Sequence, residues 1–142
     1  MSKKIKRSAK LIVEVLKDTR DIQKNVNFYL KSKNDYIKQE YNLLRKELST
    51  ILIDINLLDS NETQLEKLTQ LEVIKSTLMA NDLSNTGKID ALIREDKIKA
   101  TMATSLINDS ATVYSIQKKL VEMASMLFLN NNLLKEIGDT QK

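Results

Sequence analysis

The chain has 142 residues, 23 of them lysine or arginine and 19 aspartate or glutamate, with two glycines and no proline, histidine or cysteine. That length suits one domain, and the scarcity of breakers points to an all-α protein. The missing imidazole and thiol exclude disulfides, cysteine nucleophiles, histidine bases and the usual zinc sites. Residues 1–50 hold 13 Lys/Arg against 6 Asp/Glu, and the remainder 10 against 13. A basic first third suits a solvated face, an anionic membrane surface or nucleic acid. Nucleic acid is not expected, because aromatics do not interleave with the basic residues and acids dilute them. No apolar run reaches the roughly 18 residues of a membrane span. No secretory core follows the N-terminal "MSKKIKR", since Glu14, Lys17 and Asp18 interrupt the apolar positions. The lack of cysteine fits a cytoplasmic location.

From Lys4, a stripe runs through Ile5, Ala9, Ile12, Leu16, Thr19, Gln23, Val26 and Leu30, apolar except at Thr19 and Gln23 and flanked by Val13, Ile22 and Tyr29. Steps of three and four mark one face of a helix, read here as its core face. The polar stretch "KSKND" (31–35) offers Ser32 or Asn34 as a cap. The stripe then resumes at Ile37, Tyr41, Leu44, Leu48, Ile51, Ile55 and Leu58 in nearly the same phase. Residues 4–58 therefore read either as a helical hairpin or as one long helix, whose exposed stripe would drive dimerisation. "DSNET" (59–63) is a break, with Ser60 or Asn61 capping a helix over 62–83. "NDLSNTGK" (81–88), which contains Gly87, reads as the next break; a short "IDALIRE" segment and a last helix over 97–129 follow. Residues 1–3 and 130–142 are expected to fray. Long amphipathic helices joined by short polar breaks imply one domain over 1–142, an antiparallel bundle of three or four helices. Met79, Met102, Met123 and Met126 fall at core spacings and serve packing.

The stretch "MATSLINDS" (102–110) breaks the apolar pattern of the last helix. Its stripe of Ile98, Met102, Leu106, Val113, Ile116, Leu120, Met123 and Leu127 should pass through position 109, which holds Asp109. A buried carboxylate without partners costs several kcal/mol or stays protonated. Asp109 must therefore meet a cation, a hydroxyl or an ion, with Arg45 and Arg94 as available cations. Ser105 and Asn108 extend it into a polar island, either fixing helix register or binding a ligand. Glu14 and Asp18, with Asp21 and Asn25, share a narrow arc opposite the apolar stripe of the first helix. Stacked carboxylates could hold a hard cation, but Lys10 and Lys17 on the same face can pair with them. No metal and no other cofactor is expected. Tyr29, Tyr36 and Tyr41 read as packing residues with a polar tip. No Gly-rich phosphate loop or other catalytic constellation is present, so the chain does not read as an enzyme.

Two stretches, "VLKDTRDIQKNVNFYLKSKNDYIKQEYNLLRKEL" (15–48) and "IDALIREDKIKATMATSLINDSATVYSIQKKLVEMASMLF" (89–128), resemble the PhoU-like cytoplasmic tail of bacterial sodium/phosphate cotransporters. In that family a transmembrane transporter half precedes a soluble helical bundle. The resemblance implies an all-helical, non-enzymatic regulatory domain involved in phosphate transport, at the inner face of the cell membrane. Its partner would be a protein or the membrane-embedded part of the transporter, and the basic start would lie on the juxtamembrane side. PhoU proteins bind metal clusters through E/D-x-x-x-D motifs, a spacing matched here only by Glu14 and Asp18. In the family's last-helix motif, Asp109 keeps the first acidic place while Ala111 and Ser115 replace the next two, which removes most of the ligands. The alternative reading is a free-standing helical adaptor or coiled-coil scaffold that binds another protein.

Overall fold

A computed structural model describes residues 2–60 and 63–128, and they form four helices. The first, α1 (Lys3–Leu30), starts where the Ser2 side chain accepts the Ile5 amide at 3.2 Å. Ser2 thus caps the helix, whose first residue is Lys3; Met1 lies outside the described residues. The second, α2 (Asp35–Leu58), is a separate helix. Asn34 Oδ1 accepts the amides of Tyr36 and Ile37 at 3.0 and 3.2 Å, occupying two donors that a helix start leaves unpaired. The Asn34 amide in turn donates to Ser32 Oγ at 3.1 Å. A capped polar turn reverses the chain without glycine or proline, so residues 4–58 are a hairpin.

At the next turn, Ser60 Oγ donates to the Leu57 carbonyl at 2.7 Å and closes α2. The cap of α3 (Gln64–Arg94) is Thr63, not Ser60; Asn61 lies outside the described residues. Thr63 Oγ1 accepts the Glu66 amide at 3.1 Å while the Glu66 carboxylate accepts the Thr63 amide at 3.4 Å, a reciprocal capping box. From there α3 continues to Arg94, so the break expected over 81–88 is absent. Gly87 costs a helix about 1 kcal/mol relative to alanine, too little to end one that is packed on both sides of it. The polar residues of this stretch sit on helix faces: Asn85 is buried, and Thr86 Oγ1 donates to the Asp82 carbonyl at 3.0 Å.

The end of α3 is a Schellman turn. Asp96 takes a left-handed φ of 55°, its amide donates to the Ile93 carbonyl at 3.1 Å, and the Lys97 amide reaches the Leu92 carbonyl at 2.9 Å. The last helix, α4 (Ala100–Phe128), follows; the tail 130–142 lies outside the described residues.

The four helices form an antiparallel bundle in which α4 packs against the other three. Arg7 pairs with Glu122 and Asn25 with Asp109, so α1 and α4 run in opposite directions. Tyr41 meets Asp109 and Glu47 meets Gln117, so α2 and α4 run the same way across the diagonal. The core holds Leu11, Ile22, Ile37, Leu44, Ile51, Leu58, Leu71, Ile74, Leu106, Val113 and Ile116 among others.

On α1 the structure corrects the predicted face. The buried residues are Ser8, Leu11, Ile22 and Tyr29, whereas Ile5, Ile12 and Leu16 of the predicted stripe are exposed. Both sets follow helical spacing, and only the neighbouring helices decide which is covered. The covered side is the more polar one, and most of its polar groups meet α4: Arg7 pairs with Glu122, Glu14 and Asp18 with Lys119, and Asn25 with Asp109. Ser8 Oγ is buried with no hydrogen-bond partner among the described residues.

Candidate functional site

The centre of the bundle carries a polar layer built on Asp109, which is 6% exposed. Tyr41, fully buried on α2, donates its hydroxyl to Asp109 Oδ2 at 2.5 Å, a length suited to a hydroxyl facing a carboxylate. Asn25 on α1 donates Nδ2 to the same oxygen at 3.0 Å. Three helices therefore meet at one carboxylate. Tyr29 stacks on Tyr41, with ring centroids 4.7 Å apart and 20° between planes, and donates its hydroxyl to Ser105 Oγ at 3.4 Å. Burial first, and the Asp109 hydrogen bond second, push the Tyr41 phenol well above its ordinary pKa. Tyr41 thus stays a proton donor throughout the physiological range, and Asp109 is held by neutral donors.

No arginine takes part. Arg45 donates to Asn42 Oδ1 at 2.7 Å and Arg94 to the Asp90 carbonyl at 3.4 Å. Of the polar island expected from sequence, Ser105 and Asp109 share the layer, while Asn108 is exposed and stands apart from it. Ser110 Oγ is buried with no hydrogen-bond partner among the described residues.

Glu14 and Asp18 face α4 instead of solvent. Lys119 Nζ lies 2.7 Å from Asp18 Oδ2 and 3.5 Å from Glu14 Oε2, with the three side chains between 23% and 35% exposed. The expected partners, Lys10 and Lys17, are on the outer side, and the cation comes from a helix about 100 positions away in sequence. The two carboxylates form a clamp between α1 and α4. Asn25, on the same arc, turns inward to Asp109 for the same reason. Among the described residues, no group of three or more acidic side chains converges as a metal centre would require.

A second polar layer was not legible in the sequence. Asn85 of α3 donates Nδ2 to Glu47 Oε1 of α2 at 2.8 Å, and Gln117 of α4 donates Nε2 to the Glu47 carbonyl at 3.4 Å. Asn85 and Gln117 are buried, at 7% and 4% exposure. They line a groove of about 290 Å³ between α2 and α3, together with Lys46, Asp54, Ser84 and Lys88. Burial raises the Glu47 carboxyl above its ordinary pKa, against the lowering effect of Asn85 and Lys88; burial likewise raises Glu40. The one available signal was the run of polar residues over 81–88, which composition alone reads as a turn.

Comparison with protein-family models, curated proteins and solved structures finds no match to the chain.

Proposed function

We propose that the chain is a non-enzymatic regulatory and interaction bundle, PhoU-like in kind, that serves a sodium-dependent phosphate transporter at the inner face of the cell membrane. The observation that carries this reading is the division of labour between interior and surface. Asp109, the most conspicuous candidate for chemistry, is held by Tyr41 and Asn25 from within the bundle. The N-terminal half of α1, in contrast, leaves a row of large apolar side chains uncovered. A molecule arranged in this way acts by being held against something. The two stretches that resemble the transporter tails, 15–48 and 89–128, also contain every member of the Asp109 layer.

Phosphate uptake measured in cells with and without the gene tests the reading, using the whole natural reading frame. Uptake is expected to change when the gene is removed and to return with the wild-type copy but not with Ile12→Asp/Leu16→Asp. Unchanged uptake under both phosphate limitation and excess would overturn the transporter assignment. The uncovered apolar residues by themselves equally favour an adaptor that binds another protein. That second reading predicts unchanged uptake together with a defined partner lost in the same variant.

A further inference from the structure

We propose that the outward face of the first half of α1 docks on an anionic bilayer. Ile5, Ala9, Ile12, Val13 and Leu16 fall within an arc of about 100° at helical pitch. Their large members are 55%, 43%, 65% and 61% exposed, for Ile5, Ile12, Val13 and Leu16 in turn. Single exposed apolar residues are ordinary, but a contiguous row marks an interaction surface. Exposed Lys3, Lys6, Lys10 and Lys17 occupy the adjoining arc. Residues 3–24 hold eight Lys/Arg against three Asp/Glu, and one of the eight, Arg7, is paired with Glu122 of α4. Two of those acids, Glu14 and Asp18, are engaged by Lys119 on the side facing α4, so they leave the lysine flank uncompensated. Asp21 lies beyond the apolar row.

The pairing of the two features selects the occupant. Nucleic acid would use the lysines and leave the apolar row in water. A second copy would cover the row but bring two lysine-rich flanks together, and like charges across an interface are costly. An anionic bilayer satisfies both: apolar side chains enter the headgroup boundary while the lysines meet lipid phosphates, as in interfacial helices. The opposite side of α1 is fixed in the bundle by Leu11, Ile22 and Tyr29, so the face is presented as a preformed helix. This inference stands whether or not the bundle serves a transporter.

Binding of the full chain to vesicles of phosphatidylcholine, alone or mixed with phosphatidylglycerol, tests it by co-sedimentation. The chain is expected to bind the mixed vesicles, weakly or not at all the neutral ones, and less as salt rises. Lys6→Gln/Lys10→Gln/Lys17→Gln should weaken binding on the order of a hundredfold, at about fivefold per surface lysine. Ile12→Ser/Leu16→Ser should remove the part of the binding that resists salt. Because the chain has no tryptophan, Leu16→Trp supplies a second readout that leaves the charge intact. Its emission should shift to the blue on mixed vesicles, while that of Val73→Trp, on exposed α3 surface, should not. Equal binding to both vesicle types, full binding by the serine variant, or no shift at position 16 would each overturn the proposal. A wild-type dimer dispersed by the serine variant, with no vesicle binding, would give the face to a second copy instead.

Discussion

At Asp109, removing one partner and removing both have different consequences. Tyr41→Phe leaves a buried carboxylate with Asn25 alone, and losing a hydrogen bond to a charged group costs about 1.5–3 kcal/mol. Asp109→Leu removes the buried charge but strands the Tyr41 hydroxyl, which is fully buried, at a cost of about 1–3 kcal/mol. The double variant removes both ends of the bond, so its loss should fall well short of the sum of the single losses. Denaturant melts of the three variants check this, and additive losses would mean that the bond does not couple the helices. Glu47 makes a prediction of opposite character. Its folded pKa is raised by burial, so the stability it contributes is fully present below the unfolded carboxyl pKa. That contribution is lost as pH rises through the folded value. Glu47→Gln keeps an acceptor for Asn85 without the charge, and should be more stable than wild type near neutral pH. The gap between the two should narrow as pH falls toward that of the free carboxyl. An unchanged gap across acid pH would contradict the cause assigned to the shift.

At the scale of helices, Gly87→Ala separates a continuous α3 from a broken one. Nothing lies within 4 Å of the added Cβ, and the glycine is helical. Alanine there should raise stability by roughly 0.5–1 kcal/mol; a loss in thermal melts would restore a turn at 81–88. The element boundaries that sequence reading found are those marked by local chemistry. α4 was visible through its long apolar stripe, while the α1–α2 turn was only one of two readings of 4–58, with Ser32 or Asn34 as its cap, and the Asn34 cap decides for it. The errors arose where a distant helix supplies the partner. Asn85 reads as turn material until Glu47 is opposite it, and Glu14 and Asp18 read as solvated until Lys119 reaches them. The same cause turned the first half of α1 away from its predicted face, leaving Ile5, Ile12 and Leu16 exposed, while Val26 and Leu30 of that stripe still pack against the core. Periodicity marks apolar positions, and only packing chooses which are covered. In the Asp109 layer, the carboxylate itself stood out against its stripe. Its partners did not, because Tyr41 and Asn25 lie 68 and 84 positions away.

At the scale of the whole molecule, α4 is the common element, joined to α1 by the Lys119 clamp, to α1 and α2 by the Asp109 layer, and to α2 by Gln117. This cross-linking ties the bundle together from inside, and the proposed docking face lies outside it, on the outer side of the first half of α1. Hydrogen–deuterium exchange of the intact chain, free and on vesicles containing phosphatidylglycerol, tests that division most directly. The account predicts new protection confined to the first half of α1, with exchange around Tyr41, Asn85 and Asp109 unchanged. Protection that instead appears in the α2–α3 groove or around Asp109, with α1 unaffected, would contradict it and place the working site in the interior.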